Sequence, residues 1–92
     1  MENKRYHILV YGIVQGVGYR YFAYRVANEL GISGFVRNLR DGSVEVMAQG
    51  DEQSLAEFVD KLRKGPISAM VTDIKITELP VYPTLKRFEI KF

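Results

Sequence analysis

The sequence contains no cysteine and only one histidine, His7, among its 92 residues. Without thiols there are no disulfides and no thiolate metal centres, and a lone imidazole leaves any zinc site dependent on carboxylates. No metal and no other cofactor is implied. Also absent is any apolar run near the roughly twenty residues a helix needs to cross a bilayer, and the N-terminal stretch has no apolar signal region. These absences describe a soluble protein with no membrane partner, and the cytoplasm is its expected compartment. Charge of one sign is scarce as well: 13 Lys and Arg stand against 11 Asp and Glu, a net charge of +2, with the two signs interspersed. Nucleic-acid binders more often gather their cations into a cluster or stripe, so no nucleic-acid partner is expected, whereas a small positive excess favours small anions.

What is present is enough apolar residue, 47% of the chain, for one core but not two. A single domain over residues 1–92 is expected. No large apolar surface stripe is left unassigned, which favours a monomer.

The glycines are concentrated where they matter most, in Gly12-Ile13-Val14-Gln15-Gly16-Val17-Gly18-Tyr19-Arg20. Three glycines within seven residues relieve the steric limits on φ, so successive backbone N–H groups can turn inward as a concave anion nest. The loop then opens a helix, whose unpaired N–H groups and positive dipole end add to the same point. Arg20 is out of place at a helix N-terminus unless an anion sits between the two positive features. The spacing differs from both familiar nucleotide loops, because no Gly-Lys-Ser/Thr closes it and the third glycine of the dinucleotide fingerprint is missing. A phosphate site without a nucleotide site remains.

Around this loop the chain alternates between two periodicities. Residues 6–11 place Tyr6, Ile8 and Val10 on one face and His7, Leu9 and Tyr11 on the other, as a first strand does. His7 lies well before the loop, which argues against its being a general base. Phe22, Ala23, Val26, Ala27 and Leu30 recur at helical spacing, and Gly31 ends that helix. A short strand follows to Asn38, and Asp41-Gly42 is a hairpin signal leading into Val44, Val46 and Ala48. Leu55, Phe58, Val59 and Leu62 define a second helix with Asp51 as its N-cap and Gly65-Pro66 as its end. Met70, Thr72, Ile74 and Ile76 predict one face of a longer strand that Pro80 closes, and Phe88, Ile90 and Phe92 predict a final short strand.

Strand, helix, strand, strand, helix, strand is the split βαβ order, which places two helices on one face of an antiparallel sheet. Its first crossover makes strands one and two parallel, so the glycine loop and Asn38 meet at one sheet edge. The nest and Arg20 would then hold a phosphoryl group while the Asn38 amide holds a water in line for attack on phosphorus. With no strong base at hand, the site suits a leaving group of low pKa, because a departing carboxylate needs no proton. That description fits an acyl phosphate.

At this point the residues resemble a known family. The glycine loop ending in Arg20, together with Gly34-Phe35-Val36-Arg37-Asn38, Gly42-Ser43-Val44 and Gly50, is similar to the acylphosphatases over nearly the whole chain. The resemblance implies an α+β fold, a ferredoxin-like α/β sandwich of order βαββαβ with a short extra C-terminal strand as an option. It also implies metal-free hydrolysis of acyl phosphates to a carboxylate and orthophosphate. On matching positions Arg20 and Asn38 are the catalytic pair, Arg20 binding phosphate and Asn38 orienting the water. Gln15, Gly16, Val17, Gly18 and Tyr19 form, with Arg20, the substrate-binding loop. Ile13 stands where the family more often has arginine, and Tyr19 where phenylalanine is commoner. The alternative is a non-catalytic phosphate- or carbamoyl-phosphate-binding regulatory module on the same fold. RNA recognition by this topology would require stacking aromatics on the third strand, and residues 43–49 have none.

Overall fold

The computed structural model describes residues 2–92. Along the chain it forms β1 (Asn3–Ile13), α1 (Tyr19–Glu29), β2 (Ser33–Asn38), β3 (Val44–Asp51), α2 (Glu52–Lys64), β4 (Met70–Leu79) and β5 (Phe88–Ile90). The strands lie in the order β4-β1-β3-β2-β5. β1 runs antiparallel to β3 and β4, and β2 antiparallel to β3. The expected antiparallel sheet is thus correct for these four strands but not for the fifth: β5 is parallel to β2, and the sheet is mixed. The reason is directional. β4 runs opposite to β2, so a chain that turns back after β4 and reaches the far edge must run along β2.

Both helices pack on one face of the sheet. Period two puts Ile8 and Val10 of β1 opposite Val46 and Val44 of β3, and all four are fully buried. Leu55, Phe58 and Leu62 of α2 and Ala23, Val26 and Ala27 of α1 close the core over them. Phe58 meets Phe88 edge-on, with ring centroids 6.0 Å apart, and so ties β5 to the same core. At the start of α2 the Asp51 carboxylate accepts from the Ser54 amide at 3.0 Å and from its hydroxyl at 2.9 Å. These bonds hold the Asp51 carboxyl below its ordinary range. Lys61, Arg63 and Lys64 in the last turn complement the other end of the dipole.

The other sheet face carries the polar half of the alternation. His7 Nε2 lies 2.8 Å from Glu45 Oε2, and Arg37 Nε donates to the second carboxylate oxygen. Partial burial pushes the Glu45 carboxyl up, but the bonds from His7 and Arg37 outweigh it and leave it below the usual range. His7 is therefore committed to a hydrogen bond with Glu45, on the face away from the helices. The segment after β4 is clamped to this half of the molecule by Gln49, whose Nε2 donates to Tyr82 O at 2.9 Å while its Oε1 accepts from Tyr82 N at 2.7 Å.

Two local features depart from simple alternation. Tyr11 pairs with Asp73 but Gly12 with Val71, so Thr72 is an extra residue on β4. This bulge reverses the faces: Val71 and Ile74 both pack on the core, while Met70, expected to share a face with Ile74, is 60% exposed. The strand predicted over Met70, Thr72, Ile74 and Ile76 is present, but its single face is not. At Gly34, φ is +141°, and an added Cβ would lie 1.8 Å from the Met47 carbonyl oxygen. Gly34→Ala should therefore destabilise the fold by about 3 kcal/mol or more, combining backbone strain with a clash against a central strand. A urea titration measures this; an unchanged midpoint would show that β2 and β3 can separate freely.

Candidate active site

At Ile13 the chain leaves β1, and Val14 anchors it in the core with 1% of its surface exposed. It then turns through Gly16 at φ +73° and Gly18 at φ +79°; among the described residues no non-glycine residue adopts positive φ. Gly18 is the N-cap of α1 and has no side chain to cap with, and no acidic residue stands in the first turn. Among the described residues, the backbone N–H groups of residues 16–20 bond to no protein acceptor. Unpaired donors and an uncompensated dipole end thus coincide in one loop.

The structure gives the predicted loop residues different tasks. The Gln15 side chain does not enter the cleft: its Nε2 donates to Leu39 O at 2.7 Å and to Ser43 O at 2.8 Å, fastening the loop to the β2–β3 connection. Val17 packs against the core edge. Tyr19 is 1% exposed, and its hydroxyl donates to Leu62 O at 2.7 Å, locking α1 onto α2. Burial pushes its phenol well above the ordinary tyrosine pKa. Its hydroxyl therefore has a structural partner, so Tyr19→Phe should cost about 1 kcal/mol of stability and leave turnover within about twofold. Thermal unfolding and an activity assay check both halves, and a large loss of activity would return the phenol to the chemistry.

Gly16, Gly18, Tyr19, Arg20 and Asn38 line one cleft of about 330 Å3, together with Val14, Tyr21, Ile90 and Phe92. Asn38 ends β2 in register with Val44, on the helix-covered face. Its side-chain oxygen is buried and has no hydrogen-bond partner among the described residues. Arg20 Nη1 donates to Lys91 O at 3.0 Å, and its guanidinium carbon lies 4.7 Å from the centroid of the Phe92 ring. Most of its donors stay available, since a guanidinium has five. Arg37 bonds Glu45 on the opposite sheet face and takes no part.

Sequence reasoning brought the glycine loop, Arg20 and Asn38 to one edge; Gly16, Gly18, Tyr19, Arg20 and Asn38 share the cleft, whereas Gln15 and Val17 do not line it. It missed Lys91 and Phe92. The alternation of Phe88, Ile90 and Phe92 signalled a strand, but only the pairing of β5 beside β2 brings its end to Arg20.

A split βαβ sheet whose first helix opens from a glycine loop, uncapped and facing an arginine, defines a ferredoxin-like α+β domain with an open phosphate-type loop. Comparison with known proteins makes this specific. The family model described as acylphosphatase matches residues 6–90. The acylphosphatase of Chlorobaculum tepidum is 47% identical over 90 residues, covering 98% of each chain. That of Thermotoga maritima is 51% identical over 75 residues, covering 82% of this chain and 83% of its own. The crystal structure of acylphosphatase from Bacillus subtilis superposes with a TM-score of 0.93 at 40% identity, covering 97% of this chain and 99% of that one. The chain belongs to the acylphosphatase family.

Proposed function

We propose that the chain hydrolyses acyl phosphates, with the residue 15–20 loop holding the phosphoryl group, Arg20 binding its oxygens and Asn38 orienting the attacking water. The unpaired N–H groups of the loop surround the phosphoryl oxygens, and the Arg20 guanidinium neutralises charge that grows on them as the bond to the leaving group lengthens. The water, held by the Asn38 side-chain amide, attacks phosphorus. The P–O bond to the acyl group breaks with its electron pair going to the carboxylate, and the water's proton passes to a phosphoryl oxygen. Because the leaving carboxylate is a weak base, no protein acid is required. The charge balance is supplied by Arg20 and the backbone, with no metal ion.

The observation that carries this reading is the shared cleft, in which Asn38 stands beside Arg20 and the glycine loop with its unpaired N–H groups. A binding site for phosphate needs only donors, and a side chain that carries both a donor and an acceptor suits a water as well. The acting unit is the single domain, working as a monomer in the cytoplasm on small acyl phosphates and releasing orthophosphate. Hydrolysis of benzoyl phosphate beside p-nitrophenyl phosphate, with chelator present, tests the activity. Turnover of the acyl phosphate alone is expected; equal turnover of both, or dependence on added metal, would overturn it.

A further inference from the structure

The cleft is larger than its phosphoryl chemistry requires, and the excess is apolar. Taking about 30 Å3 as the space of one water, a phosphoryl group and its water fill well under half of a cleft of about 330 Å3. The polar lining is concentrated in the glycine loop, Arg20 and Asn38, while Val14, Ile90, Tyr21 and Phe92 supply hydrocarbon. Two of these four are aromatic rings largely in water: Tyr21 is 63% exposed and Phe92 fully so. Single exposed apolar residues are ordinary, but two rings on the rim of one cleft form a surface with something to gain from being covered.

Each ring has one aromatic or cationic neighbour. Tyr21 stacks on Tyr24 with centroids 6.3 Å apart and an interplanar angle of 30°. Phe92 lies against the Arg20 guanidinium, and the Lys91 amide beside it donates to Val36 O at 2.8 Å, continuing the β5 pairing by one residue. Aromatic side chains have only two χ angles and lose little freedom when a ligand covers them, which is why aromatic walls bind flat apolar groups well.

We propose that Tyr21 and Phe92, with Ile90 of the same cleft, form a subsite for the acyl group, and that it favours substrates with flat, apolar acyl groups over small ones such as acetyl. The proposal rests on the acyl phosphate reading of the same cleft. It gives the leaving group, which the loop, Arg20 and Asn38 do not touch, a surface of its own. Binding there raises kcat/KM for an aromatic acyl phosphate by holding the phosphoryl group in register with the loop.

The test is the ratio of kcat/KM for benzoyl phosphate to that for acetyl phosphate, in the wild type, Tyr21→Ala, Tyr21→Phe and Phe92→Ala. Intrinsic differences in reactivity between the two substrates cancel when the ratio is compared across variants. The ratio should fall roughly tenfold in each alanine variant and stay within about twofold in Tyr21→Phe, since the ring and not the hydroxyl forms the wall. Phe92 also touches Arg20, so its variant should lose activity on both substrates, but more on benzoyl phosphate. Parallel losses on both substrates, or an unmoved ratio, would overturn the subsite while leaving the hydrolase reading intact. A wild type that turns over neither substrate would defeat that reading itself, and the subsite with it.

Discussion

Arg20→Ala should lower kcat/KM for an acyl phosphate by about 10³–10⁵-fold, the range in which a single arginine acts on phosphoryl transfer. Arg20 is the one guanidinium lining the cleft, where it adjoins unpaired backbone donors at the mouth of α1. Loop N–H groups alone can hold an anion, but they cannot supply a full positive charge as the equatorial oxygens become more negative. The same substitution should abolish competitive inhibition by orthophosphate. The fold should survive, because Arg20 is only partly buried and, among the described residues, its side chain bonds only Lys91 O. Arg20→Lys should recover little, since a point charge cannot keep that bond and also meet a phosphoryl group with paired donors. Steady-state kinetics with phosphate inhibition, beside circular dichroism, measures all of this. A folded variant that binds orthophosphate normally would remove Arg20 from the site.

Asn38→Ala should separate the two halves of the site. If Asn38 orients water, kcat should fall by about 10²–10⁴-fold while inhibition by orthophosphate changes by less than about threefold. Because its oxygen makes no hydrogen bond among the described residues, truncation leaves none of their donors without a partner. Little stability should therefore be lost, about 1 kcal/mol at most. Equal losses in turnover and phosphate affinity would instead make Asn38 a binding residue, and the regulatory-module alternative would gain ground.

The parts of this protein that could be read in its sequence are those governed by local periodicity. The Leu55, Phe58 and Leu62 stripe, the Asp51 cap and the alternation through Ile8 and Val10 all report contacts made within an element or across one sheet face. The topology then brought Asn38 to the glycine loop without any distance being known. What was not legible depends on partners far along the chain. β1 runs from Asn3 to Ile13, beyond the predicted residues 6–11, because β3 and β4 pair along its ends. The bulge at Thr72 arises from pairing with Gly12 and leaves no mark on the β4 pattern. The Asp41-Gly42 turn differs from the two-residue hairpin it resembles, since only Gly42 takes positive φ and Leu39 N bonds Ser43 O across it. Asp41 instead accepts from the Ser43 amide at 2.9 Å, and bonds from the Ser43 side chain and backbone hold its carboxyl below the usual range. In the site, Gln15 looked like a ligand group because of its place in the loop. Its bonds to Leu39 and Ser43 depend on a hairpin more than twenty residues away.

The central claim is that water attacks phosphorus within the cleft shared by Arg20 and Asn38, and the fate of the water oxygen tests it directly. A single turnover of benzoyl phosphate in ¹⁸O-labelled water should place the label in orthophosphate and none in benzoate. Label in the benzoate would mean attack on the acyl carbon, and would contradict the account at its root.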